Sequence, residues 1–193
     1  LSVQVHPDDG AAAPYGDSGK TEARYVPDAA PGARVFPGLA PGAGRRELEE
    51  ALAAGTVAGL LHAVPVARGD VVFVPAGTIH ALGAGVRVVE FQQNSDLTFR
   101  VFDWNRLGLD GKARTLHVAE ALAVARFDDA GPDLAAPLAE CGTAAPDAPG
   151  AEAAQRREVP LGGGARGCRA RRFVRHEALT LDVLDAFERP VEL

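Results

Sequence analysis

The chain has 193 residues, 47% of them hydrophobic and 24% charged, enough for one ordinary domain or one domain plus part of another, with a core that needs no disulfides. Twenty basic against 26 acidic residues leave a net charge of -6. That balance excludes a whole-chain attraction to nucleic acid or to an anionic membrane, so an anionic small substrate would need locally placed Lys or Arg.

Residues 1–6 alternate Leu, Val and Val with Ser, Gln and His, the period-2 pattern of a strand with two unlike faces. The polar face carries Gln4 and His6. A turn cluster at residues 7–10 and an Ala/Pro/Gly-rich loop to residue 19 follow, and strands are expected over residues 22–26 and 33–36. Leucines at 48, 52, 60 and 61 predict one or two short helices over residues 45–61, broken near Gly55. Runs of β-branched and aromatic residues at 64–66, 71–74, 86–92 and 98–102 predict regularly spaced short strands, as in a sandwich or small barrel. Residues 119–124 suit a helix. From 128 to 167 the chain turns Ala-, Pro- and Gly-rich and reads as a boundary or linker, with new strand material over 173–183.

Cys141 and Cys168 lack the paired spacing of a zinc knuckle and are expected to be free thiols. No apolar run approaches the roughly 18 residues of a membrane helix and no signal-peptide pattern opens the chain, so a cytoplasmic location is expected. With no methionine anywhere and Leu1 leading straight into a strand, the chain is expected to be a fragment whose natural start lies upstream.

The most informative segment is 69–80, Gly-Asp-Val-Val-Phe-Val-Pro-Ala-Gly-Thr-Ile-His. Pro75 and Gly77 can bend the end of an apolar strand so that His80 points inward, towards the two polar positions Gln4 and His6 and towards Glu22. A lone histidine is more often structural than a ligand. The spacing Gly-x5-Pro-x-Gly-x2-His nevertheless matches the second motif of the cupin superfamily, and three further segments accompany it in order: Leu-Ser-Val-Gln-Val-His-Pro-Asp-Asp, Gly-Lys-Thr-Glu-Ala, and Glu-Phe-Gln-Gln-Asn-Ser-Asp-Leu-Thr-Phe-Arg with Phe-Asp-Trp-Asn-Arg. Together they resemble class I phosphomannose isomerase over residues 1–125, and more weakly beyond.

The resemblance implies a mainly β fold, a cupin or jelly-roll-like β-barrel with a short helical insertion. Residues 1–125 would form the metal-binding catalytic domain, with N-terminal strands missing, and 126–193 a linker and the start of a second cupin-like half. It implies one zinc ion per chain on Gln4, His6, Glu22 and His80, a ligand set harder than the cysteine cages of structural zinc. It implies interconversion of mannose 6-phosphate and fructose 6-phosphate, with a small-molecule sugar phosphate as partner and a monomer as the default state. Arg100 corresponds to the family's active-site arginine and could steady an enediolate or hold phosphate; Lys20 could transfer the proton or anchor phosphate. Glu90 and Asp96 are further candidates for a proton relay, whereas His62, His117, His176 and the arginines at 166, 169, 171, 172 and 175 fall outside the matched motifs.

The chain departs from the family where Arg24 replaces a tryptophan and where Pro27 should end the strand or lie at an edge. These departures leave open an alternative, a noncatalytic cupin module that binds a metal or a sugar phosphate.

Overall fold

A computed structural model describes residues 1–107 and 111–127 with their side chains, and the backbone of three strands beyond them. The first sheet has five strands in the order β4-β3-β6-β1-β8. They are β1 (Val3–Val5), β3 (Arg34–Pro37), β4 (Val64–Pro65), β6 (His80–Leu82) and β8 (Phe99–Phe102). The second sheet places β2 (Glu22–Ala29) between β5 (Val71–Val74) and β7 (Val86–Gln92). All of these pairings are antiparallel. Among the described residues the strands bond as separate sheets and do not close into one ring.

The alternation of each strand sorts its residues between two cores. Val26, Val72 and Val74 of the second sheet meet Val35 of the first, so the two sheets face each other across this apolar interior. On its opposite face the five-stranded sheet turns Val3, Val5, Phe99 and Val101 towards helix α2 (Arg45–Ala54) and helix α3 (Val118–Val124). Leu48 anchors α2 there at 1% exposure, a burial worth roughly 1.5–3 kcal/mol. Helix α2 begins where Glu47 Oε2 accepts the Gly44 N–H at 3.0 Å and ends at Gly55, whose φ of 68° suits the left-handed cap. A short 3-10 turn (Val57–Leu60) follows, so the expected break near Gly55 is present.

Three expectations change. The supposed loop after residue 7 contains helix α1 (Asp9–Ala12), because Asp8 Oδ1 accepts the Ala11 N–H at 2.8 Å and caps it. Pro27 does not end its strand: β2 runs on to Ala29. It pairs with β5 only as far as Tyr25, and its register with β7 shifts between Tyr25 and Asp28, so the proline falls in an irregularity where no ladder donor is required. Finally, the turn after β5 leads into a strand that was not expected, β6, which His80 opens in the opposite sheet.

Asp103, just after β8, accepts from Arg106 and Arg114, and Trp104 Nε1 donates to Leu1 O at 2.6 Å. The Arg114 hydrogen bonds, followed by those of Arg106, hold the Asp103 carboxyl well below the usual carboxylate range. The Phe-Asp-Trp-Asn-Arg motif thus ties down the strand end and the start of the chain.

Beyond residue 127 the described backbone comprises β9 (Arg157–Val159), β10 (Cys168–Arg175) and β11 (Thr180–Ala186), a three-stranded antiparallel sheet ordered β11-β10-β9. Strand material begins earlier than expected, since β9 falls inside the span read as a linker. The remainder of that linker, including Cys141 and Arg166, lies outside the described residues, as does His176. Among the described residues no helix is long and apolar enough to cross a membrane.

Candidate metal centre

Strand alternation turns inward Gln4 of β1 and His6, the residue just past its end, and the ladder with β6 sets Gln4 directly opposite His80. On the other side of β1, Gln4 is opposite Arg100 of β8. Glu22 opens β2 in the facing sheet. Two sheets therefore contribute to one cluster. His6, Glu22 and His80 are each at most 1% exposed, and their ligand atoms lie within 4.8 Å of one another.

The turn before His80 is fitted closely. Gly77 has a φ of +84°, and a Cβ there would lie 2.6 Å from Arg126 Cγ, so neither its conformation nor its surroundings admit a side chain. Its N–H donates to His6 O at 2.7 Å, which ties the turn to β1. Thr21 Oγ1 accepts the Ala76 N–H at 3.3 Å, and Gln93 Oε1 accepts the Thr21 N–H at 2.8 Å, so the segment leading to Glu22 is fastened to the same turn.

Backbone carbonyls set the state of both imidazoles. His6 Nδ1 lies 3.0 Å from Leu97 O and His80 Nδ1 lies 2.9 Å from Thr78 O. A carbonyl only accepts, so each Nδ1 carries a proton and each Nε2 is the ring nitrogen turned inward. Burial above all, then the nearby Arg24 charge, pushes His80 down to about 3, so that ring is neutral at ordinary pH. Burial works to raise Glu22, but the close approach of His6 and the Arg24 guanidinium outweigh it and hold the carboxyl at about 2.

This donor set fits a cation. Glu22 Oε1 is 3.1 Å from His6 Nε2, and Glu22 Oε2 is 3.5 Å from His80 Nε2. Two imidazole nitrogens and a carboxylate thus converge, and Glu22 Oε1 is buried with no hydrogen-bond partner among the described residues. The Gln4 amide reaches both rings, with Nε2 at 3.5 Å from His6 Nε2 and 3.4 Å from His80 Nε2. A half-turn of that amide would offer its oxygen as a fourth ligand.

The two expected catalytic residues lie nearby. Lys20 Nζ is 3.7 Å from Glu22 Oε1 and largely buried. Arg100 shares the face of Gln4, its Nη1 donates to Thr115 O at 2.8 Å, and its Nε is buried without a partner among the described residues. Of the two further carboxylates, Glu90 accepts from Arg24 at 2.5 Å, whereas Asp96 is exposed and its N–H donates to Asp17. His117 is structural: its Nδ1 accepts the Arg100 N–H at 3.2 Å. Sequence reasoning missed the Thr78 and Leu97 carbonyls, which no side-chain pattern marks. It left Arg24 without a role, although the i, i+2 spacing from Glu22 was a usable signal.

No family model matches the chain. It is 43% identical over 125 residues to a mannose-6-phosphate isomerase from Streptococcus mutans, an alignment covering 64% of this chain and 39% of the relative. It is 40% identical over 126 residues to the mannose-6-phosphate isomerase ManA of Bacillus subtilis, covering 64% and 40%. The chain therefore spans about two fifths of the length of these curated relatives. The crystal structure of the mannose 6-phosphate isomerase from Bacillus subtilis superposes with a TM-score of 0.76 at 30% identity, over 96% of this chain and 52% of that one. In sequence and in its cupin fold, this chain is similar to part of a mannose-6-phosphate isomerase.

Proposed function

We propose that the chain carries the zinc centre of a cytoplasmic aldose/ketose isomerase that interconverts mannose 6-phosphate and fructose 6-phosphate. The observation that carries this reading is the convergence of two inward imidazole nitrogens on a buried carboxylate oxygen that has no hydrogen-bond partner among the described residues. Gln4, His6, Glu22 and His80 would hold the ion, whose contribution when bound is to polarise a carbonyl as a Lewis acid.

The rest of the chemistry falls to the chain's own groups. In the forward direction a base takes the proton from C2 of the aldose and returns it to C1, while a hydroxyl proton moves from O2 to O1. Lys20, 3.7 Å from Glu22 Oε1, would either carry that proton or bind the phosphate, and the Arg100 guanidinium, whose Nε has no partner among the described residues, would stabilise developing negative charge. Arg24, bonded to Glu22 beside the site, favours a second reading, a noncatalytic module that binds the metal without turnover.

The test measures fructose 6-phosphate formation before and after chelation and zinc return. Activity should vanish with the metal and come back with it. His80→Ala and Gln4→Ala should lower both zinc binding and turnover, and activity that survives complete metal removal defeats the zinc mechanism. Zinc bound tightly with no turnover would establish the module instead. For Lys20→Met, a fall in kcat of about 10²–10⁴ marks a proton-transfer group, whereas a raised KM with kcat kept marks a phosphate anchor.

A further inference from the structure

Arg24 lies two residues beyond Glu22 on the inward face of β2 and is 2% exposed. Its guanidinium is gripped by two carboxylates: Nη2 donates to Glu22 Oε2 at 2.6 Å, and Nε donates to Glu90 Oε2 at 2.5 Å. The β2 to β7 ladder sets Arg24 directly opposite Glu90, so this second contact is built into the register.

The division of the Glu22 oxygens gives the arrangement its meaning. Arg24 occupies Oε2, whereas Oε1 has no hydrogen-bond partner among the described residues and lies 3.1 Å from His6 Nε2 and 3.7 Å from Lys20 Nζ. We propose that Arg24, braced by Glu90, is a positioning residue of the metal centre, which holds the Glu22 carboxylate so that it presents Oε1 to the cation. This rests on the metal-binding reading above.

A guanidinium so near a cation site would by itself oppose binding. Glu90, a carboxylate in direct contact with Arg24, offsets that field, so what Arg24 adds is orientation rather than charge. Only a planar fork can engage both carboxylates at once; an ammonium on a flexible stem reaches a single point. The Glu90 side chain, 32% exposed, can be altered without opening the core.

Two charge-preserving variants of the full chain separate orientation from electrostatics: Arg24→Lys and Glu90→Asp. Zinc affinity is measured by competition with a chromophoric chelator, and the visible absorption of the cobalt-loaded protein reports ligand number and geometry. Arg24→Lys should bind zinc about 10- to 100-fold more weakly, the range found when a group that orients a ligand is lost, and Glu90→Asp should weaken it less but in the same direction. Both should alter the cobalt spectrum as Glu22 turns to offer its second oxygen, a change that a merely structural role would not produce. Zinc affinities within about twofold of wild type with an unchanged spectrum would overturn the proposal. Should Arg24→Lys fail to fold, Glu90→Asp decides by the same two measurements. Wild-type chain that binds no zinc overturns the metal reading and this one with it, whereas tight wild-type binding with indifferent variants overturns only the positioning role.

Discussion

His80 and Glu22 are common residue types made unusual by where they sit. His80 is pushed down to about 3 from 6.5 and Glu22 to about 2 from 4.5. Between about pH 6.5 and 3 the unfolded chain therefore binds a proton at His80 that the folded chain refuses, so stability rises with pH across that window. Glu22 acts in the same sense lower down: its contribution is complete above 4.5 and is lost towards 2. Denaturant titrations of the metal-free chain should show stability falling from about pH 6.5 downwards and more steeply below 4.5, by a few kcal/mol in all. His80→Asn should flatten the upper part of that decline; a slope unchanged by the substitution would show that His80 is not its source. At this scale Gln4, His6 and His80 were legible as candidates, because alternation and a Pro/Gly turn mark them. The carbonyls of Thr78 and Leu97, which orient the two rings, carry no signal of their own, since every residue has a carbonyl and only the path of the chain aims it.

Among the elements, the turn between β5 and β6 is the most demanding. Gly77→Ala places a Cβ at a φ of +84° and 2.6 Å from Arg126 Cγ, and should cost about 1–3 kcal/mol in a denaturant melt. Because the same turn delivers His80 and bonds to His6 O, zinc affinity should fall as well. An Ala variant with wild-type stability and affinity would show that the turn relaxes freely. In the outer core, Leu48→Ala should cost about 2–5 kcal/mol while leaving zinc affinity nearly unchanged, since α2 packs on the face of the sheet opposite to the ligands. Most strands and the break in the helical insertion were readable because period-2 and helical patterns are local. Helix α1 was not, being a four-residue element set by one capping aspartate. Pro27 misled for a related reason: its missing donor matters only if a partner asks for it, and the partner strands do not.

At the scale of the whole molecule the centre joins two sheets, with Gln4, His6 and His80 from one and Glu22 from the other. A cation bound there would cross-link them, so zinc should stabilise the folded chain by about 2.7 kcal/mol at a free concentration one hundred times its Kd. Thermal melts should show that gain, lose it on chelation, and lack it in His80→Ala. A zinc-independent melting temperature would count against a shared site. The residues alone determined much of the inventory of this protein: most of its strands, which ligand types are available, and a motif order that pointed to the isomerase resemblance. The tertiary structure decided the rest. It showed that His80 opens a strand of the opposite sheet, that Glu22 is divided between Arg24 and the site, and that the facing strands form separate sheets. Those facts depend on which strands become neighbours, and pairing between residues as far apart in sequence as Gln4 and His80 is settled by global packing that no local pattern encodes.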